Sequence, residues 1–297
     1  MSHRWILAAA AAAAAVAVGA CAVKTEPAPE PDAVADETSG DATDAAAPAA
    51  DEAETPVAQV IDPKADEIAR AMCDCLKNAK RFTFKAETST DRRISTGGLV
   101  TLEANSDVAV RRPNGLRVLR ESTKGRRLFQ YDGKSVSILD MGRDLYAQSD
   151  APATIDETLD AVEAKLGIVV PLSDLFSNDP YLTFSEYADT GAFMGVHPVR
   201  GKPCDLVVFT NEIVDWQVWV QKDGPRVPLK FAITYKTERE SPRFVAHLYD
   251  WNLEAAVPDS EFAFTPPAGA SRIDIAARQT GEDETTEPAA PATETPR

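Results

Sequence analysis

Three histidines, four cysteines and a dense run of arginines are the residues of this chain with the widest chemical repertoire. His3 stands at the amino terminus, so a catalytic triad would have to use His197 or His247. Neither keeps company with a G-x-S-x-G elbow or an H-E-x-x-H helix, the arrangements that set a nucleophile or a metal beside an imidazole. His247 lies among alternating strand residues and His197 precedes Pro198, so both read as structural histidines. Gly133-Lys134-Ser135 has the ending of a phosphate-binding loop, but Leu128 stands where that loop needs its first glycine, and the segment reads as a turn. No acid, base and nucleophile converge, so no catalytic residue, metal ligand or cofactor is assigned, and a non-enzymatic protein is expected.

The arginines carry a different chemistry. Arg111, Arg112, Arg117, Arg120, Lys124, Arg126 and Arg127 share a stretch of 17 residues with a single acid, Glu121. One reading is a basic face for anionic headgroups or an acidic protein; the other is a solvated hairpin whose charges protect an edge.

The ends of the chain place these groups. After Arg4 an uncharged, Ala-rich run from Trp5 to Ala20 has the layout of an export signal. It closes on Val18-Gly19-Ala20-Cys21, which resembles the lipobox of bacterial lipoproteins; in that pattern residues 1–20 are removed and Cys21 becomes the acylated first residue. The competing reading is an ordinary signal cut after Ala20, leaving a soluble periplasmic protein. Ala22, rather than Asp, follows the cysteine, which by the same resemblance implies the outer membrane, at its periplasmic face. Residues 21–60 and 276–297 are rich in Ala, Pro, Asp, Glu and Thr and poor in bulky apolar side chains, so both are expected to be disordered. The first would serve as a tether with a reach of about 35 Å. The two ends hold 15 of the 47 acids and 4 of the 31 bases, so the net charge of −16 falls to −5 over residues 61–275. Nucleic acid is not expected as a partner.

About 215 residues remain for one domain. Asp62 and Pro63 open a helix whose apolar stripe runs Ile61, Ala65, Ile68, Met72, Leu76 and Ala79, with Lys77, Lys80 and Arg81 at its far end. The period then becomes two: Phe82 and Phe84, Val108 and Val110, Leu116 and Val118, Leu128 or Phe129, then Val136 and Ile138, with Asn114-Gly115 and Asp132-Gly133 as hairpin turns. Thr154 and Glu157 have capping-box spacing ahead of a stripe of Ile155, Leu159, Val162 and Leu166, and Leu172, Leu175 and Phe176 predict a further helical turn. Strands return at Val207 to Phe209, Val214 to Val220, Leu229 to Tyr235 and Phe244 to Leu253, with a last one around Phe262 and Phe264. The order helix, strands, helices, strands predicts an α+β fold with helices gathered on one face of an antiparallel sheet.

In an oxidising compartment, Cys73, Cys75 and Cys204 would remain once Cys21 is acylated. Cys75 falls nearer the apolar stripe of the first helix than Cys73, so a disulfide from Cys75 to Cys204 is expected, with Cys73 left over. A zinc site is not assigned, because a lone C-x-C lacks the paired ligand spacing.

Several segments together resemble known families. Arg112-Pro113-Asn114-Gly115-Leu116-Arg117-Val118 and Tyr131-Asp132-Gly133-Lys134-Ser135-Val136-Ser137-Ile138 resemble the hairpins of the LolA/LolB-like lipoprotein carriers. Gly201-Lys202-Pro203-Cys204-Asp205, the stretch from Val214 to Val220, Pro228-Leu229-Lys230, Trp251-Asn252, and Phe262 to Ala270 resemble the periplasmic family called domain of unknown function 2092. The likeness runs from Asp62 to Ile275, and Leu206 stands where a histidine would be expected after Cys204-Asp205. It implies an incomplete antiparallel β-barrel, a half-barrel with helices covering its concave face. It also implies a precedent for holding acyl chains. The expected lining is Val108, Val110, Leu116, Val118, Val208, Trp216, Val218, Leu229, Phe231, Ile233 and Leu248, against the alternative that these residues fill a solid core. The expected function is a lipid-anchored periplasmic protein binding a lipid, acyl chain or other apolar ligand. The alternative is an envelope sensor that engages a protein partner and carries no ligand.

Overall fold

The computed structural model describes residues 60–182 and 187–274. The expected signal 1–20, Cys21, the tether up to residue 59 and the tail 276–297 lie outside the described residues.

The first helix, α1 (Pro63–Asn78), starts where the sequence predicts. The Asp62 carboxylate accepts from the Lys64 N–H at 2.8 Å, and Pro63 fills a first-turn position whose N–H would lack a helical partner. The helix buries Ala65, Ile68, Ala69, Met72, Cys73 and Leu76. A second helix, α2 (Ile155–Leu166), is capped by the Thr154 hydroxyl, which accepts from the Glu157 N–H at 3.3 Å, and ends on Gly167 in the left-handed conformation. A 3-10 turn, Ser173–Phe176, follows it, as Leu172, Leu175 and Phe176 predict.

The strands are β1 (Val60–Ile61), β2 (Arg81–Arg93), β3 (Leu99–Arg111), β4 (Gly115–Ser122), β5 (Gly125–Tyr131), β6 (Ser135–Asp140), β7 (Leu145–Asp150), β8 (Thr190–Val199), β9 (Lys202–Thr210), β10 (Val214–Gln221), β11 (Pro228–Tyr235), β12 (Arg243–Asn252) and β13 (Ser271–Arg272). They form one sheet in the order β1-β8-β9-β10-β11-β12-β2-β3-β4-β5-β6-β7-β13. β1 and β13 join the ends in parallel and every other pair is antiparallel. The two ends do not pair with each other, so the barrel stays open: the sheet is a half-barrel. Two meanders, β2 to β7 and β8 to β12, meet where β12 pairs with β2, along Phe244↔Thr90 to Leu248↔Ala86.

One face of this sheet and the two helices bury a single apolar cluster. Its strand members are every second residue, as period two requires: Phe82, Phe84 and Ala86 on β2, Val108 and Val110 on β3, Leu116 and Val118 on β4, Phe129 and Tyr131 on β5. The helices therefore cover the concave face.

Three expectations need correction. Phe262 and Phe264 do not form a strand: Phe262 follows a 3-10 turn at Asp259–Glu261, and the final pairing segment is β13. The Phe262 side chain is fully buried instead, lying over Gly115, where an added Cβ would stand 3.1 Å from the ring. Pro258, Pro266 and Pro267, which have no N–H to give a ladder, flank this stretch. The β3–β4 hairpin turns through Arg112, Pro113 and Asn114, with Gly115 already paired to Arg111, one residue earlier than the Asn114-Gly115 turn expected. Val60, assigned to the tether, pairs with Thr190.

Truncating the fully buried Phe82 to Ala should cost about 3–5 kcal/mol in urea unfolding. Gln217→Ala, on the outer face, should stay within about 0.5 kcal/mol; equal losses at both positions would contradict the face assignment.

Candidate functional site: the roofed concave face

Ten of the expected lining residues, Val108, Val110, Leu116, Val118, Trp216, Val218, Leu229, Phe231, Ile233 and Leu248, belong to the buried cluster between sheet and helices. Val208 does not. It pairs with Gln217 and Ala192, so alternation turns it to the outer face while its neighbours Val207 and Phe209 point inward. Sequence reasoning missed other members of the same face. Phe82 and Phe84 were legible as strand residues, and Val214, Phe244, Ala246 and Tyr235 share the parity of residues already chosen on their strands.

Among the described residues, two polar atoms sit within this apolar surface without a hydrogen-bond partner: the Trp216 indole nitrogen and the Tyr235 hydroxyl. Each such group forfeits about 1–3 kcal/mol relative to a satisfied one. Burial holds the Tyr235 phenol well above its usual pKa, with Glu238 nearby adding to the effect, so it stays a neutral donor.

The roof is fastened by polar contacts. The Arg112 guanidinium donates to the carbonyl oxygens of Phe176 at 2.7 Å and Leu175 at 3.2 Å, and also to that of Ser177. These are the free carbonyls at the end of the 3-10 turn, where a cation is favoured. Its charge also lies 5.5 Å from the Phe82 ring centre, and desolvation brings its pKa down to about 10. Beyond the turn, Lys77 pairs with Asp179 at 2.7 Å, and the Asn178 N–H donates to Asp156 of α2 at 2.9 Å. Tyr181 donates to Asp66, which Arg70 also binds at 2.7 Å while lying 4.0 Å above the tyrosine ring. Burial raises the Asp66 carboxyl, but the Arg70 and Tyr181 hydrogen bonds together outweigh it and leave the group below the usual carboxylate range. Burial and Asp66 push the Tyr181 phenol up to about 12.

The basic cluster does not make one face. Arg117 and Arg120 have opposite parity on β4, so Arg117 points outward, toward Glu261 at 3.4 Å, and Arg120 inward. Arg111 pairs with Asp259 at 2.9 Å, the exposed Arg127 with Asp140 at 3.5 Å and the exposed Arg126 with Glu121 at 3.9 Å, Arg112 is used in the roof, and Lys124 is exposed at a turn.

The expected Cys75–Cys204 disulfide is not formed, and all three described cysteines are unbridged. The helix is oriented differently from the expectation: Cys73, one turn after Ala69, is the fully buried member and Cys75 is half-buried. Burial raises each thiol above its usual pKa. His197 Nε2 lies 3.0 Å from the Met194 carbonyl oxygen. His247 faces outward beside Lys230, and its buried Nδ1 has no partner; desolvation lowers its pKa. Among the described residues no three His, Cys, Asp or Glu side chains gather as metal ligands.

A helix-roofed half-barrel with a buried apolar concave face is thus the class of protein that the geometry defines. Residues 65–276 match the family model described as "Predicted periplasmic protein (DUF2092)", and the chain belongs to that family. Among solved structures it is similar to lipoprotein LppX of Mycobacterium tuberculosis, at 16% identity and a TM-score of 0.40, over 64% of this chain and 96% of that one. It is also similar to MucB in the MucA/MucB complex of Pseudomonas aeruginosa, at 14% identity and 0.36, over 68% and 61%. A LolA superfamily protein of Nitrosomonas europaea matches at 10% identity and 0.32, over 67% and 97%. No curated protein matches the chain.

Arg112→Met should loosen the roof while leaving the sheet folded. Loss of about 1.5–3 kcal/mol per charged hydrogen bond would lower amide-exchange protection across residues 173–182 by at least about tenfold, with β3 and β4 unaffected. Uniform loss across the domain would mean that Arg112 supports the fold at large.

The Asp66 contact has a defined pH response. A folded-state pKa below the unfolded value stabilises the contact above about pH 4, and the gain is lost as pH falls through the folded value; Tyr181 keeps its proton throughout. Protection at residues 178–182 should therefore drop between pH 6 and pH 3, and Asp66→Asn should flatten part of that drop. An unchanged slope in the variant would contradict the contact.

Proposed function

We propose that this protein is an envelope lipoprotein that holds a lipid, an acyl chain or another apolar molecule between the concave face and its helical roof. The observation that carries this reading is how the roof is held. Beneath it lies a continuous apolar surface against which its helices pack, while the polar part of its fastening runs through one guanidinium and a rim of ion pairs. Exposed ion pairs contribute at most about 1 kcal/mol each, so the rim opens at modest cost. An incoming chain would replace helix side chains against Phe84, Val108, Val118 and Phe129, and each Å² it removes from water returns about 25 cal/mol.

The remaining features of the sequence fit a membrane-tethered binder. The lipobox-like Val18-Gly19-Ala20-Cys21, with Ala22 next, supports acylation of Cys21 and an outer-membrane anchor facing the periplasm. The acidic stretch that follows would let the domain range about 35 Å from the surface. Such a task calls for no catalytic group, metal or cofactor.

The test is direct. The protein purified from a bacterial envelope should yield, on solvent extraction and mass spectrometry, close to one lipid per domain, and the emptied protein should take up a fatty acid with a change in tryptophan emission. Protein that is empty as isolated and takes up no fatty acid would sink the reading and favour an interaction protein.

A further inference from the structure

The concave face is not apolar along its whole length. On four adjacent strands the inward residues change character toward one end: Phe82, Phe84 and Ala86 give way to Thr88 on β2, Val110 and Val108 to Ser106 on β3, Leu116 and Val118 to Arg120 on β4, and Tyr131 and Phe129 to Arg127 on β5, the change on β2 coming one inward position later because Ser106 pairs with Ala86. Ser106 pairs with Arg120 and Arg120 with Arg127, so these groups lie side by side.

Arg120 is the unusual member. It is half-buried, and its hydrogen bonds reach only the hydroxyl oxygens of Thr88 and Ser106, both at 3.5 Å, the outer limit of such a bond. The Thr88 hydroxyl is already committed to the Ala104 carbonyl at 3.1 Å. The ion pairs of the described residues do not include Arg120; the nearby Arg127 has Asp140, whose other oxygen accepts the Gly142 and Arg143 N–H groups. Desolvation and a second cation, Arg92 on β2, both disfavour its charge. Across β12 the same end of the face carries Tyr235, whose buried hydroxyl has no partner. The other charges within reach of Tyr235 are Arg92, Glu238 of the following turn and Asp174 of the roof. An under-coordinated guanidinium and an unsatisfied phenol at the polar end of an apolar face both lack an oxygen anion. The planar fork of Arg matches a carboxylate or phosphate with two parallel hydrogen bonds.

We propose that Arg120, with Arg92 and the Tyr235 hydroxyl, binds the anionic head, a carboxylate or a phosphate ester, of an amphiphile whose chain lies along Phe129, Val118, Val108 and Phe84. This rests on the apolar-ligand reading above and adds to it a charge and an orientation. The head sits at the polar end of the face and the chain runs beneath the helices.

Binding of oleate, oleyl alcohol and inorganic phosphate to the full chain, followed by tryptophan emission or by calorimetry, tests it. The unmodified protein should bind oleate at least about tenfold more tightly than oleyl alcohol, a discrimination that a charged hydrogen-bonded pair supplies. Arg120→Gln should bring oleate to the level of the alcohol and leave the alcohol unchanged, and Arg92→Gln should narrow the gap by a smaller factor. Equal affinity for the two in the unmodified protein, which needs no variant to fold, would overturn the head site and leave the apolar reading standing. Failure of both to bind would overturn the two together. Inorganic phosphate binding alone as tightly as oleate would replace the amphiphile by a free anion and so overturn the proposal.

Discussion

A curved sheet with one apolar face has to be covered, and nearly everything else in this domain follows from that. The inward residues of ten consecutive strands, β9 through β12 and β2 through β7, would meet water if the sheet stood alone. The chain meets the requirement with α1 and α2 and the 3-10 turn, whose apolar stripes join the same cluster. Because the barrel does not close, the sheet cannot fold over its own concave side, and the cover has to come from elements laid across it.

The cover and the sheet are joined by two kinds of contact with different consequences. Within the cluster, Leu76, Ile155 and Phe176 interdigitate with the strand side chains, a close-packed arrangement that resists small displacement. At the margin the fastening is electrostatic, through Arg112 and the groups around Asp66 and Asp179. Such contacts respond to pH, salt and substitution without removing apolar surface from the core. The division is thus between an apolar interior and a polar rim.

The polar atoms inside the face point the same way. Trp216, Tyr235 and Arg120 are spread over three strands and are not bonded to one another. A core selected for packing alone would be expected to place apolar side chains there, because an unsatisfied donor costs more than the hydrophobe that could replace it. Their coexistence with a roof fastened at its margin by polar contacts is the common ground of the two proposals.

Much of this was legible residue by residue. The Asp62-Pro63 start of α1, the Thr154-Glu157 cap of α2, the period-two runs of β2 to β6 and β9 to β12, and the family resemblance all rest on local signals that the folded chain retains. β7 and β8 escaped notice because they lie toward the sheet's ends. β7 buries only Ala147, β8 is interrupted by Gly195 and Pro198, and neither shows an alternating apolar pattern. The opposite directions of Arg117 and Arg120 were present in the parity of β4, yet a cluster in sequence reads as a patch until a sheet divides it between two faces.

The amino-acid order alone determined which side chains share a face on each strand and where the helices begin. Only the tertiary structure decided that β12 lies against β2. That pairing brings Tyr235 and Arg92 to one end of the concave face, and the packing of the helices over the sheet sets Arg112 under the carbonyls of the 3-10 turn and turns Cys73 rather than Cys75 inward. The reason is physical: periodicity and capping act over a few residues, whereas the register between distant strands and the rotation of a helix over a sheet are set by which apolar surfaces fit together.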